Sequence, residues 1–197
     1  MNMYRLLSDV AKVSAGHSFR GRAEDSSLTD GARVIQIKDI REEGGGFDEL
    51  PFSSVQLTKL DNYLRDDDVL IPLKGSRIES MVVRCLNGGR VIVTNQIAII
   101  RPNKELLDPG YLSWYINSSV GRDRLSGLKV GSAISSMSLK DLTSFTIPTP
   151  CLSVQEKIVK IHENWKGRRK ILSEMLDVGS QLSESVCLEL LEGERNC

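Results

Sequence analysis

The sequence has no long apolar run, no excess of either charge and no closely spaced cysteine pair. Its longest apolar runs, such as Val69–Leu73 and Ile97–Ile100, fall far below the roughly 20 residues of a membrane-spanning helix. The opening residues, MNMYRLLSDVAKV, lack the continuous apolar core of a signal peptide. We therefore expect a cytoplasmic protein.

The charges balance, with 26 lysines and arginines against 26 aspartates and glutamates in 197 residues. This balance excludes a pervasively basic nucleic-acid binder. The charges are nevertheless segregated. Most ionisable residues in the segment 42–70 are acidic, and most of those in the segment 71–101 are basic. A local basic face that binds DNA is compatible with this pattern, and so are solvated faces on which like charges happen to cluster.

The soft metal ligands are four cysteines and two histidines: Cys85, Cys151, Cys187, Cys197, His17 and His162. Their wide spacing does not predict a zinc site, and without an export signal it does not predict a disulfide framework. No phosphate-binding loop is present, because Lys74-Gly75-Ser76 has its residues in the wrong order. We expect no catalytic residue, no metal and no cofactor on this chain. An enzyme using His17 and Ser18 stays open as an alternative that would need a nearby carboxylate.

Short β-type runs dominate the first two thirds of the chain. Arg33–Ile40 alternates between apolar and polar residues, which predicts a strand with Gln36 and Lys38 on one face. Val69–Leu73 predicts a strand that Pro72 confines to an edge or an irregularity. Further strands are predicted at the runs Met81–Cys85, Val91–Val93, Ile97–Arg101 and Phe145–Ile147. The first two of these flank Asn87-Gly88-Gly89, so we expect a hairpin there.

Helices are predicted between these strands. Leu6–Val13 has the spacing of a short amphipathic helix that ends before Gly16. Asp108-Pro109 is typical of a helix start, which makes Gly110–Ser118 helical. Ser138 and Asp141 have the spacing of a capping box at the start of another short helix.

The last part of the chain has the pattern of one long helix. A second capping box is predicted at Ser153–Glu156, and no proline follows it. A helix of about 38 residues would be about 57 Å long, so its apolar stripe needs a partner helix unless the helix folds back on its own domain. The heptad positions predicted to mediate dimerisation are Ile158, Ile161, Trp165, Leu172, Met175, Leu182 and Val186.

Several polar, basic or glycine-containing loops have residue types that suit DNA contacts. Arginine and lysine bind phosphates or guanine, and asparagine and glutamine pair with adenine. Each of these residues alone could equally be an ordinary surface residue. The candidate DNA-binding residues are His17, Ser18, Arg20, Arg22, Lys38, Lys74, Ser76, Arg77, Asn95, Gln96, Lys129, Ser132 and Ser135.

The order of these segments resembles the specificity subunit of type I restriction–modification systems. The matching pieces are residues 7–19, 34–40, 64–71, 94–97, 111–115, 131–139 and 145–158. Asp67 stands where the family usually has glycine, and Cys151 replaces a usual proline. The resemblance implies an α+β fold, with a strand-rich target recognition domain with short helices at residues 1–150. One long coiled-coil helix for dimerisation and methyltransferase docking follows at residues 151–197.

The resemblance also implies a function. The family's subunit performs no chemistry and reads a DNA sequence for two modification subunits, which bind S-adenosylmethionine and methylate adenine. Restriction-competent complexes add an ATP-dependent restriction subunit. This chain resembles half of the usual subunit, so we expect a homodimer that reads a split palindromic site. The alternative is a dimeric protein–protein adaptor with a coiled-coil tail and no DNA binding.

Overall fold

The computed structural model describes residues 4–25, 27, 30–41, 47–54, 63–75, 77–128 and 136–194. Two compact units divide the chain, Met1–Val159 and Lys160–Cys197. The predicted α+β class is confirmed, with a strand-rich part, short helices and one long final helix. The elements are β1 Tyr4–Leu6, α1 Leu7–Val10, β2 Ala11–Ala15, β3 Arg33–Ile35, β4 Val69–Pro72, β5 Met81–Val82, β6 Val91–Val93, β7 Ile97–Pro102, α2 Pro109–Asn117, α3 Ser119–Ser126, α4 Leu139–Thr143, β8 Thr146–Pro148 and α5 Leu152–Glu194.

An antiparallel sheet in the order β2-β7-β4-β5 forms the centre of the first unit. Strand β7 is buried along almost its whole length, because β2 and β4 pair with its two edges and apolar clusters cover both of its faces. Pro72 pairs with Ile97 of β7, whereas β5 reaches only Val69 and Leu70 of β4. The missing N–H of Pro72 is therefore tolerated where β5 does not extend, as the sequence predicts.

Two smaller sheets complete the first unit. Strands β3 and β6 pair in parallel, and β1 pairs with β8 in antiparallel fashion. One buried cluster joins the central sheet to the helices α1, α2 and α4, with Ile100, Leu112 and Leu142 fully buried in it. A second buried cluster lies on the opposite face of the sheet and includes Ile35, Leu70 and Val93. The sheet is thus covered by apolar residues on both faces.

The predicted helix over Leu6–Val13 is wrong beyond its first turn. Helix α1 ends at Val10, and Ala11–Ala15 is a strand. The backbone of this strand pairs with β7, with Val13 opposite Ile100. Pairing with a strand nearly 90 residues away overrides the local helical spacing.

The predicted strand over Arg33–Ile40 is also too long. Strand β3 ends at Ile35, and Ile37–Asp39 forms a 3-10 turn. The cause is local, because the Asp39 carboxylate accepts a 2.8 Å hydrogen bond from the Gln36 backbone N–H. Gln36 consequently precedes a 3-10 turn that contains Lys38, and neither residue lies along a strand.

The predicted hairpin between Met81–Cys85 and Val91–Val93 is wrong in its pairing. The turn itself is present, with positive φ at Asn87 and Gly88. However, β5 pairs with β4, and β6 pairs with β3 in a different sheet. A strong turn signal therefore predicted the reversal of the chain but not the partner of either strand.

The predicted starts of two short helices are confirmed. The Asp108 side chain accepts a 2.8 Å hydrogen bond from the Tyr111 N–H, with Pro109 in the first turn of α2. At α4, Ser138 accepts from the Asp141 N–H, and Asp141 accepts from Ser138. Both starts are encoded within four residues of sequence.

The long helix α5 has 43 residues and begins at Leu152, so Ser153 lies in its first turn rather than at its cap. The Cys151 carbonyl accepts the first backbone hydrogen bonds, from Val154 and Gln155. The buried Gln155 side chain accepts from the Asp108 N–H at 2.8 Å and donates to the carbonyl of Pro150. These bonds fix the first turn of α5 within the first unit. No helix in the described part of the chain is long and apolar enough to cross a membrane.

Candidate nucleic-acid interface

The loop after β2 is bound to the turn between β6 and β7 by backbone contacts. The His17 N–H donates to the Val93 carbonyl at 2.7 Å, and the Asn95 N–H donates to the His17 carbonyl at 2.8 Å. Gly16 makes this approach possible, because a Cβ atom there would overlap the carbonyl oxygens of Val93 and Thr94. Two segments predicted separately from sequence, 16–22 and 95–96, are therefore neighbours.

Side chains extend this contact. The Asn95 amide donates to the Ser18 hydroxyl at 3.0 Å. The His17 ring packs edge-on against Phe19, with ring centroids 5.0 Å apart. Among the described residues, no carboxylate contacts His17 or Ser18. A His17–Ser18 enzyme would require such a carboxylate.

An open cleft of about 690 Å³ lies next to this contact. We call it the polar cleft. It contains four of the predicted DNA-binding residues, contributed by three separate segments. The residues that line it are Phe19, Gly21, Arg22, Ala23, Glu24, Gln36, Ile37, Lys38, Thr94, Asn95 and Gln96.

Glu24 is a residue of the polar cleft that the sequence analysis missed. Its Oε2 atom accepts a 2.7 Å hydrogen bond from Gln36 Nε2 and lies 3.6 Å from Lys38 Nζ. The alternation of residues 33–40 predicts that Gln36 and Lys38 lie on one face, and this is the part of the site that the sequence indicates. It does not indicate that Glu24 faces them from another segment.

The loop after β4 lies beside the same turn. The Leu73 N–H donates to the Gln96 carbonyl at 2.8 Å, and Lys74 forms an isolated antiparallel bridge with Ser136. Lys74 is exposed. Lys74 thus follows a residue, Leu73, whose backbone is bonded to Gln96 of the polar cleft.

The remaining predicted residues are distributed differently. Arg20 is exposed in the loop that leads to the polar cleft. Arg77 forms an ion pair with Glu79, so its charge is compensated. Ser76, Lys129, Ser132 and Ser135 lie outside the described residues.

Part of the acidic segment pairs with the basic segment and does not form a surface of its own. Asp68 is fully buried, and its two oxygens accept 2.7 Å hydrogen bonds from Arg101 Nε and Nη2. Asp67 contacts Arg84 and lies 2.5 Å from Lys104 Nζ. The charge segregation in the sequence is therefore partly an internal pairing.

The backbone at Asp67 is in a conformation that fits the glycine usual at this position in the family that the sequence resembles. Its φ is 74°, a backbone conformation that favours glycine but that aspartate tolerates. Burial acts to raise the pKa of its carboxyl, but the hydrogen bond from Lys104 and the charge of Arg84 outweigh burial and lower this pKa. The ion pairs of the Asp67 carboxylate therefore offset the free-energy cost of the positive φ at this residue.

The second unit is helical and carries a stripe of exposed apolar side chains. Six of the predicted heptad residues there are 46% to 72% exposed: Ile161, Trp165, Leu172, Met175, Leu182 and Val186. Ile158 differs, because it packs against the core of the first unit. Exposed apolar residues outside the predicted heptad positions widen the stripe, among them Ile171, Leu176 and Val178. Exposed apolar residues at this density are typical of an interaction surface.

No group of metal-ligating side chains is found among the described residues. Cys85, Cys151 and Cys187 are free thiols. The chemistry available in the polar cleft is therefore hydrogen bonding and charge, from one arginine, one lysine, one glutamate and three amides among its described lining residues. These groups suit recognition of a polar, charged ligand.

A family model described as "Type I restriction modification DNA specificity domain" matches residues 5–167. A comparison with curated proteins finds no match. Among solved structures, similarity is found to a chain from a structure of complex assembly and conformational transition in the type I R-M system. It has 20% sequence identity and a TM-score of 0.61, and the match covers 85% of this chain and 39% of that chain.

Two further structures are similar. The type I restriction–modification S subunit from M. genitalium has 14% identity and a TM-score of 0.58, with coverage of 89% of this chain and 41% of that chain. The HsdS subunit from Thermoanaerobacter tengcongensis has 20% identity and a TM-score of 0.57, with coverage of 85% and 38%. The TM-scores show a shared fold, and this chain spans about two fifths of each matched structure.

Proposed function

Since the chain belongs to the family of type I restriction–modification DNA specificity domains, we propose that it is the sequence-specific DNA-binding subunit of a type I restriction–modification complex. It carries out no catalysis. It reads DNA for modification subunits that bind S-adenosylmethionine and methylate adenine. Where the system also restricts DNA, an ATP-dependent restriction subunit joins the complex.

The polar cleft and the neighbouring Lys74 loop support this proposal. Arg22 and Lys38 line the cleft, and Arg20 and Lys74 are exposed beside its segments. Their charges suit phosphate contacts, which position a protein on duplex DNA. Asn95 and Gln96 supply amides that suit contacts with base edges. The observation that carries the proposal is that segments far apart in sequence bring these side chains to one place.

We further propose that two copies associate through the apolar stripe of residues 161–186. A symmetric dimer presents the same surface twice and therefore reads two identical half-sites. The exposed apolar side chains support association, since leaving so many of them in water is unfavourable. We assign residues 1–150 to recognition and residues 151–197 to dimerisation and docking.

Equilibrium binding to duplex DNA tests the first proposal. The affinity of the full chain should fall linearly with salt concentration on logarithmic axes, because phosphate contacts release counterions. Arg22→Ala and Lys74→Ala should each weaken binding, while Lys170→Ala, an exposed lysine of α5, serves as the matched control. Absence of DNA binding at low salt, or identical affinities for all variants, would contradict the proposal.

Sedimentation equilibrium tests the second proposal. The wild-type chain should be a dimer, and Leu182→Glu should produce monomers because it puts a charge into the stripe. The control is Gln181→Glu, which places the same charge on the adjacent exposed residue. A monomeric wild-type chain, both free and in its methyltransferase complex, would rule out the homodimer.

A further inference from the structure

Glu24 stands out in the polar cleft because it is an acidic residue at a site where phosphate binding favours basic side chains. Among the described lining residues it is the carboxylate, next to Arg22 and Lys38. A carboxylate repels phosphate, so it would weaken a purely electrostatic contact with DNA. Its presence calls for a ligand group that donates hydrogen bonds.

The carboxylate is held in a defined position. The backbone of Glu24 forms an isolated antiparallel bridge with Ser53. Gln36, which donates to it at 2.7 Å, is itself fixed by the hydrogen bond from its N–H to Asp39. Lys38 lies in the 3-10 turn that follows. Groups that are oriented before binding discriminate between ligands better than mobile groups do.

One oxygen of Glu24 is left for a ligand. Both described contacts, from Gln36 and from Lys38, are made to Oε2. Among the described residues, Oε1 has no partner, and the side chain is 41% exposed in the wall of the cleft. Because a carboxylate oxygen can only accept hydrogen bonds, the free position selects for a donor.

The edges of the four base pairs differ in where they present donors. In the major groove cytosine presents an amino donor alone, thymine and guanine present acceptors, and adenine presents a donor beside an acceptor. We propose that Glu24 is a specificity-determining residue that accepts a hydrogen bond from the 4-amino group of a cytosine in the target. Gln36 is its positioning residue. This inference rests on the proposed DNA-reading function.

The first test is selection from a random duplex library with the full chain, followed by sequencing. The wild-type chain should enrich a motif that contains a cytosine position, and Glu24→Gln should lower the preference there by about tenfold. The glutamine keeps the size of the side chain and an oxygen that accepts from Gln36. The matched control is Glu105→Gln, which changes an exposed glutamate outside the cleft and should leave the motif unchanged.

The second test uses the enriched duplex with a cytosine analogue that lacks the 4-amino group at the same position. The wild-type chain should lose about tenfold in affinity, and Glu24→Gln should lose nothing further, because the two changes remove the same hydrogen bond. Gln36→Ala should reduce the preference at that cytosine only, since the carboxylate loses its donor at 2.7 Å. The proposal would be overturned if removal of the 4-amino group lowered the affinity of the wild-type chain and of Glu24→Gln by the same factor.

The outcomes separate this inference from the function it rests on. A wild-type chain that enriches no motif overturns both. A motif that is unchanged in Glu24→Gln, that weakens uniformly at every position, or that changes at an adenine, guanine or thymine overturns the assignment of Glu24 alone.

Discussion

The side-chain amide of Asn95 donates a 3.0 Å hydrogen bond to the hydroxyl of Ser18, across 77 positions of sequence. This bond adds a side-chain contact to the backbone bonds between the loop after β2 and the turn before β7. We predict that Asn95→Ala weakens DNA binding while leaving the fold intact, because the backbone bonds stay in place. The loss in unfolding free energy should be about 0.5–1.5 kcal/mol, measured by urea denaturation.

A double-mutant cycle isolates this bond. Ser18→Ala removes the acceptor, and the double variant should cost less than the sum of the two single variants, because both remove one interaction. Strictly additive losses in stability and in DNA affinity would show that the two side chains do not act together.

Gly16 is predicted to be intolerant of a side chain. Gly16→Ala places a Cβ atom against the backbone carbonyls of Val93 and Thr94, so the loop must move and stability should fall by about 1–3 kcal/mol. The control is Gly167→Ala in α5, where a Cβ has open space and should raise helix stability by up to about 1 kcal/mol. Thermal unfolding of both variants measures the contrast, and equal melting temperatures would contradict the close approach.

The ion pair between the buried Asp68 and the partly buried Arg101 should be costly to break. Asp68→Ala leaves Arg101 without its two 2.7 Å acceptors, and loss of one partner of a buried ion pair costs about 3–5 kcal/mol. Glu174→Ala, which breaks the exposed pair with Lys170, should cost less than about 0.5 kcal/mol. Chemical denaturation measures both free energies. A cost for Asp68→Ala as small as that of the exposed pair would contradict the burial of this contact.

Asp67 should make stability depend on pH. Burial opposes its ionisation, but Lys104 and Arg84 outweigh burial and hold the pKa of its carboxyl below the ordinary 3.8. A carboxyl with a lowered pKa in the folded state contributes stability above its unfolded pKa, and that contribution is lost as the pH falls through the folded pKa. The difference in unfolding free energy between the wild type and Asp67→Asn should therefore be present near neutral pH and shrink below about pH 4.

Asparagine is the informative replacement at position 67, because it tolerates the positive φ while it removes the charge and one of the two acceptor oxygens. Salt at about 1 M should reduce the difference as well, since the pair is partly exposed. A difference between the wild type and Asp67→Asn that stays constant from neutral to acid pH would show that the ion pairs do not stabilise the fold.

The parts of the fold that could be predicted from sequence are encoded locally. The starts of α2 and α4 each depend on a side chain that caps the backbone three residues later. Strand β7 is a short run of buried apolar residues and was also predicted. The long final helix follows from the apolar repeat and the absence of proline.

The errors concern pairing between distant segments. Ala11–Ala15 has a helical spacing but becomes a strand because β7 supplies its partner. Asn87 and Gly88 form the predicted turn, yet the strands on either side join different sheets. Glu24 was missed for the same reason, because its contacts to Gln36 and Lys38 arise only when the chain folds.

The proposed function requires that this chain, as a symmetric pair, gives a DNA methyltransferase its target sequence. Sequencing the adenine methylation made by the modification subunits together with this chain tests it most directly. We expect one split motif whose two halves are palindromic copies of each other, with a methylated adenine on each strand. Methylation of a motif with two unrelated halves, or methylation at the same sites when this chain is omitted, would contradict it.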